Sequence, residues 1–384
     1  MPPHPTAPAL LRRLLHRVPK LELHLHLDGS LPPSFIAARS EARGVPLPSP
    51  AQDLGLFARS RKRSSMQESL RIFDVMNQFL QTPEELTEAT AQILDHLARK
   101  DNVRYAELRF CPSLHTEEGT TAAEAVAAVQ AGYSHHLATT MRAAASHHLD
   151  EGNASSPSSQ NASSHSSPSP PSSPSPPPSP PPSPPPPPVN GGVIVCGLRS
   201  LGPEHSMEMA ELAVSSKALA FDLAGDEQLY PLDVHAEALD YCATHGMPTV
   251  PHAGEWPDAT LHNVERALDR YGAARIGHGL ELGARGGAEL LGRYAKAGVT
   301  VECNMTANIG GGRAGWYDSH PIRPMFDAGV RVTINSDNLL VSGSAETGPA
   351  SPTGELTHLL RPTALGGAGF TLDEAERYVR MRLI

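Results

Sequence analysis

The sequence predicts an eight-fold parallel β/α barrel of the TIM type. Two observations carry this: eight short β-branched runs alternate with longer helical patterns, and unusual polar residues fall at the ends of those runs. The candidate strands are residues 21–27, 104–110, 192–198, 218–223, 248–252, 275–278, 299–303 and 331–335. Between them, stretches such as 83–100, 122–148, 232–244 and 284–297 carry apolar residues at three- and four-residue intervals, as crossover helices do. A closed (β/α)8 barrel is the simplest closure, although strand count alone also allows a doubly wound open sheet. The polar residues favour the barrel. His24, His26 and Asp28 end the first run, His252 and Glu255 the fifth, His278 the sixth, and Asp337 with Asn338 the eighth. In such barrels the C-terminal strand ends form one mouth, so residues far apart in sequence converge there.

Along the chain, residues 1–17 read as a basic lead-in, with Arg12, Arg13 and Arg17, then Lys20, and no acid. The same composition faintly resembles an organelle transit peptide. No run approaches the roughly 20 consecutive apolar residues of a membrane span, and no secretory signal core is visible, so the expected compartment is the cytoplasm. From Asn153 to Pro188 the chain is almost wholly Ser and Pro, ending in an unbroken proline run from Pro184. Such a segment buries too little apolar surface to offset its ordering entropy, and it reads as a disordered insertion. Its two N-x-S sequons, at Asn153 and Asn161, carry no assigned role. With 384 residues, 39% of them hydrophobic, the chain suits one large domain: the barrel over 18–384, interrupted by 153–188.

A formal net charge of −10, with no dense basic run beyond 59–63, argues against a nucleic-acid partner, which needs a concentrated basic footprint. Cys111, Cys196, Cys242 and Cys303 form no C-x-x-C pair and read as buried small hydrophobes. The 19 histidines are the unusual feature. Those paired at His135, His136, His147 and His148 lack acidic or thiol partners nearby and are expected to be solvated.

His24 and His26 are two apart on a strand, so both side chains can reach one metal. Such a pair is common by itself. With His252 and Asp337 at other strand ends, three imidazoles and a carboxylate suit zinc with a position open to water, although iron, cobalt and manganese fit the same donors. Zinc lowers the pKa of bound water to roughly 7, which supplies a nucleophile at neutral pH.

Five strings make the resemblance specific. Residues 19–30 (PKLELHLHLDGS), 221–227 (FDLAGDE), 252–255 (HAGE), 275–279 (RIGHG) and 335–338 (NSDN) resemble, in order and approximate spacing, the motifs of the adenosine deaminase family. The resemblance implies hydrolytic deamination of adenosine and deoxyadenosine with one zinc ion per chain. His24, His26, His252 and Asp337 would hold the metal, and His278 would orient or deprotonate its water. Glu255 would give a proton to N1 of the purine, which makes the neighbouring ring carbon electrophilic. His26 would also touch the substrate, Asp28 would accept from a ribose hydroxyl, Gly225 would offer its N–H to N3, and Asn338 would face N7. Many family members have an aspartate at this last position; an amide can donate to unprotonated N7.

Blander readings stand beside these. Glu255 could begin a helix, Gly225 could be only a turn residue, and the Met66 to Leu80 segment, which resembles the family's apolar cover, could be plain core. Two departures are visible: 343–361 is richer in Gly, Ser, Pro and Thr than the family's segment, and the chain stops inside an apparent helix at 372–383. A sister enzyme acting on adenine, a modified adenylate or another adenine-bearing metabolite is the alternative. A non-catalytic binding protein of the same fold is a weaker one. Oligomeric state is not legible.

Overall fold

The computed structural model describes residues 7–60, 66–154, 186–257 and 260–375. Most of the Ser/Pro insertion, the basic residues at 61–63 and the expected terminal helix beyond 375 lie outside the described residues.

Eight parallel strands form: β1 (Lys20–His26), β2 (Val103–Phe110), β3 (Asn190–Leu198), β4 (Ala220–Ala224), β5 (His252–Ala253), β6 (Arg275–His278), β7 (Thr300–Cys303) and β8 (Arg331–Ile334). They pair as two runs, β1-β2-β3-β4 and β5-β6-β7-β8. Parallel bridges between Phe221 and Thr249 and between Leu25 and Asp337 join the runs at both seams. The result is a closed (β/α)8 barrel, so the open sheet is excluded. Each strand overlaps its expected run, and β5 is the shortest. Pro248 and Pro251 remove two ladder donors there, which leaves regular pairing only at His252 and Ala253. Phe221 and Val250 still bind this segment, through Phe221 N to Pro248 O at 2.9 Å and Val250 N to Phe221 O at 2.8 Å.

The helices follow from local signals. In Pro83–Asp101, Thr82 and Glu85 form a reciprocal capping box, proline occupies the first turn, and Asn102 ends the helix in the left-handed region at φ 57°. Its apolar face, with Leu86, Ala89, Ile93, Leu94 and Leu97, is fully buried; each large side chain there contributes about 1.5–3 kcal/mol. The stretch expected as one helix at 284–297 divides into Leu280–Arg285 and Gly287–Ala297, because Gly287 takes φ 65°. The basic lead-in is itself a helix, Ala7–Arg17, which packs on the helix Pro352–Leu360 and buries Leu15.

One histidine expectation is corrected. His136 is buried rather than solvated, and its Nε2 accepts the Val189 N–H at 3.2 Å, which ties the helix Ala122–Ala154 to the start of β3. His135 is exposed, and the side chains of His147 and His148 lie outside the described residues. All four cysteines are buried and free. Among the described residues, no helix is long and apolar enough to cross a membrane.

Candidate active site

At the C-terminal strand ends, a cavity of about 200 Å³ is lined by His26, Asp28, Gly225, His252, Glu255, His278, Asp337 and Asn338, together with Phe73, Asn77 and Arg313. Every sequence-predicted site residue reaches it except His24, which lies immediately beneath at zero exposure. The Met66 to Leu80 segment divides between the two readings: Phe73 lines the cavity, whereas Met76, Phe79 and Leu80 are core. A wider groove of about 850 Å³ runs outside the barrel, against the helices Pro83–Asp101 and Ala122–Ala154. It gathers none of the residues predicted to act, so convergent chemistry rather than volume identifies the site.

The imidazoles are oriented from behind by buried carboxylates. His24 Nδ1 lies 2.8 Å from Glu302 Oε2, and His252 Nδ1 lies 3.0 Å from Asp222 Oδ1. A carboxylate there accepts the Nδ1 hydrogen, so each ring presents its Nε2 lone pair forward. Arg109, wholly buried, binds both carboxylates: Nη1 to Asp222 Oδ2 at 3.1 Å and Nη2 to Glu302 Oε2 at 2.7 Å. It also donates to the Leu23 carbonyl of β1 at 2.9 Å. One guanidinium thus couples β1, β2, β4 and β7.

The forward nitrogens crowd together. His26 Nε2 is 3.3 Å from His252 Nε2, and both His24 and His26 present Nε2 3.5 Å from Asp337 Oδ1. His24 Nε2 is buried without a hydrogen-bond partner. His24, His252, His278 and Asp337 offer ligand atoms all within 4.8 Å of one another, and His26 stands at their rim. Burial holds His26 and His278 well below the usual imidazole range, hence neutral; it opposes ionisation of Asp337 too, but the surrounding imidazoles hold that carboxyl well below its ordinary value. Converging imidazoles, one of them with an orphaned buried nitrogen, and an ionised carboxylate are a donor set that fits zinc. Asp337 and His278 also adopt φ of 63° and 64°, two of four non-glycine residues in that region among those described. Backbone held there costs about 1–3 kcal/mol and persists only where surrounding contacts fix it.

Glu255 is positioned by its own loop. Glu227 accepts three successive backbone N–H groups, from Gly254 at 2.9 Å, Glu255 at 2.6 Å and Trp256 at 3.3 Å. Gly254, at φ 75°, makes the required turn; a Cβ there would meet Val264 Cγ2 at 2.5 Å. Glu255 Oε1 then lies 3.6 Å from His278 Nε2 and 2.7 Å from Arg313 Nη2. Burial raises the Glu255 carboxyl, with Arg313 opposing, so its acid form is favoured relative to an exposed glutamate. Burial likewise lifts Asp28, to about 6. Asn338 Nδ2 donates to Ser342 Oγ at 3.2 Å, and that hydroxyl donates to Asp337 Oδ2 at 3.2 Å.

Sequence reasoning missed Arg109, Glu302, Arg313 and Asn308, and gave Asp222 and Glu227 no role although both stand in a quoted string. For Asp222 and Glu302 a signal existed: each is a carboxylate in mid-strand, flanked by apolar residues. Asn308 lies in the short helix Met305–Gly310 and Arg313 just after it, and only the fold brings them to His278 and Glu255.

The adenosine deaminase family model matches residues 19–146 and 188–347, which is most of the chain. The adenosine deaminase of Enterococcus faecalis is 29% identical over 337 residues, covering 87% of this chain and 84% of that protein. That of Clostridium acetobutylicum is 28% identical over 337 residues, covering 86% and 85%. Among solved structures, an amidohydrolase from Burkholderia ambifaria with bound Zn superposes with a TM-score of 0.70 at 20% identity, covering 99% of this chain and 88% of that one. An adenine deaminase from Arthrobacter aurescens gives 0.63 at 21% identity, covering 94% and 98%. An N6-methyl-AMP deaminase from Arabidopsis thaliana gives 0.65 at 19%, covering 96% and 92%. At these identities the superpositions speak to the fold.

Proposed function

This chain belongs to the adenosine deaminase family, and from that premise we propose that it hydrolyses adenosine and deoxyadenosine to the inosine products and ammonia. The observation that carries the reading is the convergence, at one barrel mouth, of His24, His252, His278 and Asp337, with His26 Nε2 3.3 Å from His252 Nε2 and the buried Glu255 carboxyl 3.6 Å from His278. In this reading His24, His26, His252 and Asp337 hold a single zinc ion, which when bound supplies an activated water at neutral pH. The domain is 18–384, with 153–188 as an insertion. Four free thiols suit a cytoplasmic setting.

The chain's own groups then do the following. The Gly225 N–H and the Asn338 amide orient the purine through N3 and N7, and His26 and Asp28 take the ribose side. Glu255, whose carboxyl burial shifts toward the acid form and whose backbone N–H Glu227 holds, delivers a proton to N1. That transfer withdraws electrons from the carbon bearing the amino group. His278 faces the same carbon from the metal side. Phe73 and Leu114 wall the cavity against water.

The test is the ultraviolet absorbance change on incubating purified, metal-loaded protein with adenosine, deoxyadenosine, adenine and AMP, beside Glu255→Gln. Turnover of adenosine that falls by roughly 100-fold or more in the variant is expected. Turnover of adenine or AMP alone would keep the chemistry and overturn the substrate.

A further inference from the structure

His278 stands among the proposed ligands, which raises the question of which of its ring nitrogens carries the hydrogen. Hydrogen-bond direction decides it. The Ile322 backbone N–H can only donate, and it points at His320 Nδ1 at 3.2 Å. His320 is buried, and burial lowers it to about 3, so the ring is neutral with one hydrogen, which must sit on Nε2. That Nε2 faces Asn308 Oδ1 at 3.2 Å. The Asn308 carboxamide is thereby held with its oxygen toward His320 and its Nδ2 toward His278 Nδ1, 2.9 Å away. His278 Nδ1 therefore accepts. Asn304 Nδ2 approaches the same nitrogen at 3.4 Å, but its Oδ1 has no other partner, so it follows whichever atom His278 presents and decides nothing.

We infer that Asn308 and His320 are positioning residues: a relay running from the Ile322 N–H through His320 and Asn308 to His278 places the His278 hydrogen on Nε2. This inference deepens the deaminase reading and rests on it for its kinetic consequence. An Nε2 that carries hydrogen has no lone pair to give a metal, which agrees with the ligand set already proposed, His24, His26, His252 and Asp337. The Nε2–H donates into the site, on the side where Glu255 Oε1 lies 3.6 Å away. A neutral His278 in this form orients an acceptor and does not remove a proton through Nε2.

Zinc-loaded full-length protein carrying 15N-labelled histidine tests this without substrate, through long-range correlations between ring protons and ring nitrogens. His278→Gln identifies the His278 signals. The expected result is a protonated Nε2 and an unprotonated Nδ1 on His278. Asn308→Asp, which can only accept while ionised, should move the hydrogen to Nδ1 and lower kcat by roughly 100-fold to 10,000-fold. KM should change by less than about threefold if the effect lies in the transition state. A wild-type His278 protonated at Nδ1, or an Asn308→Asp protein that keeps the Nε2–H form, would overturn the relay. Protein that turns over no adenosine yet shows the expected nitrogen signals would sink the substrate reading and leave the relay standing.

Discussion

Replacing Arg109 by methionine keeps much of its volume and removes the cation that both orienting carboxylates share. In the native protein Arg109, Asp222 and Glu302 are all fully buried. Without Arg109, Glu302 keeps Arg275 Nε at 2.6 Å, whereas Asp222 keeps no guanidinium, only the His252 N–H and ring Nδ1, each at 3.0 Å, and the Cys196 thiol. The loss therefore concentrates on Asp222. Breaking one buried pair in this way costs about 3–5 kcal/mol. With an unfolding entropy near 2.1 cal/mol/K per residue over the roughly 330 described residues, ΔS at Tm is about 0.7 kcal/mol/K. A cost of about 4 kcal/mol then lowers Tm by roughly 6 °C. Differential scanning calorimetry of the zinc-loaded protein measures this, and zinc titration should show affinity weakened by roughly 10–100-fold. Adding Asp222→Asn should make the double variant less unstable than the sum of the single ones, because the orphaned charge is gone. A Tm drop under about 1 °C with unchanged zinc affinity would refute the claim that this cation holds the ligands in place.

Other substitutions probe separate parts of the molecule. Gly277→Ala places a methyl 2.8 Å from His24 Cε1 and 3.3 Å from the His252 backbone, so it should displace His24 and reduce bound zinc, read by elemental analysis of dialysed protein; full zinc content would show that the ring has room to move. Glu355 is fully buried and its carboxyl is lifted from 4.5 to about 8, mainly by burial. Since the folded value lies above the unfolded one, its contribution is present at low pH and is lost as pH rises through about 8. Urea unfolding should therefore show wild-type protein losing stability between pH 5 and 9 relative to Glu355→Gln, and parallel curves for the two would contradict this. Cys111 lines the cavity, yet burial pushes its thiol up to about 11. At pH 7.5 it should resist iodoacetamide in the folded protein and react after unfolding, as peptide mass mapping would reveal.

Much of the barrel was legible because parallel strands buried on both faces are short and β-branched, and because histidines at strand ends have no structural reason to be there. The limits have physical causes. β5 shrank because proline removes the donors that periodicity assumes. His136 looked solvated because no acid or thiol lay nearby in sequence, whereas its partner is a backbone N–H at Val189, beyond the insertion. Asp222 and Glu302 show that a charge inside a strand has a partner only after closure: the cation that pairs with both comes from β2. Asn308 and His320 stand 30 and 42 positions from His278, and nothing but the placement of the short helix Met305–Gly310 and the turn that ends at His320 relates their hydrogen-bond directions to it.

The Ser/Pro run at 153–188 follows the helix Ala122–Ala154 in the chain and precedes β3, which begins at Asn190. A barrel strand has its two ends on opposite faces, and every ligand group here stands at or just beyond the later end. Added length at the earlier end is therefore mechanically insulated from the chemistry by the strand itself. Each doubling of such a loop costs only about 0.6 kcal/mol. The Ser/Pro run at 153–188 is thus a natural port for grafting a reporter or an affinity module, with the mouth of the barrel left untouched.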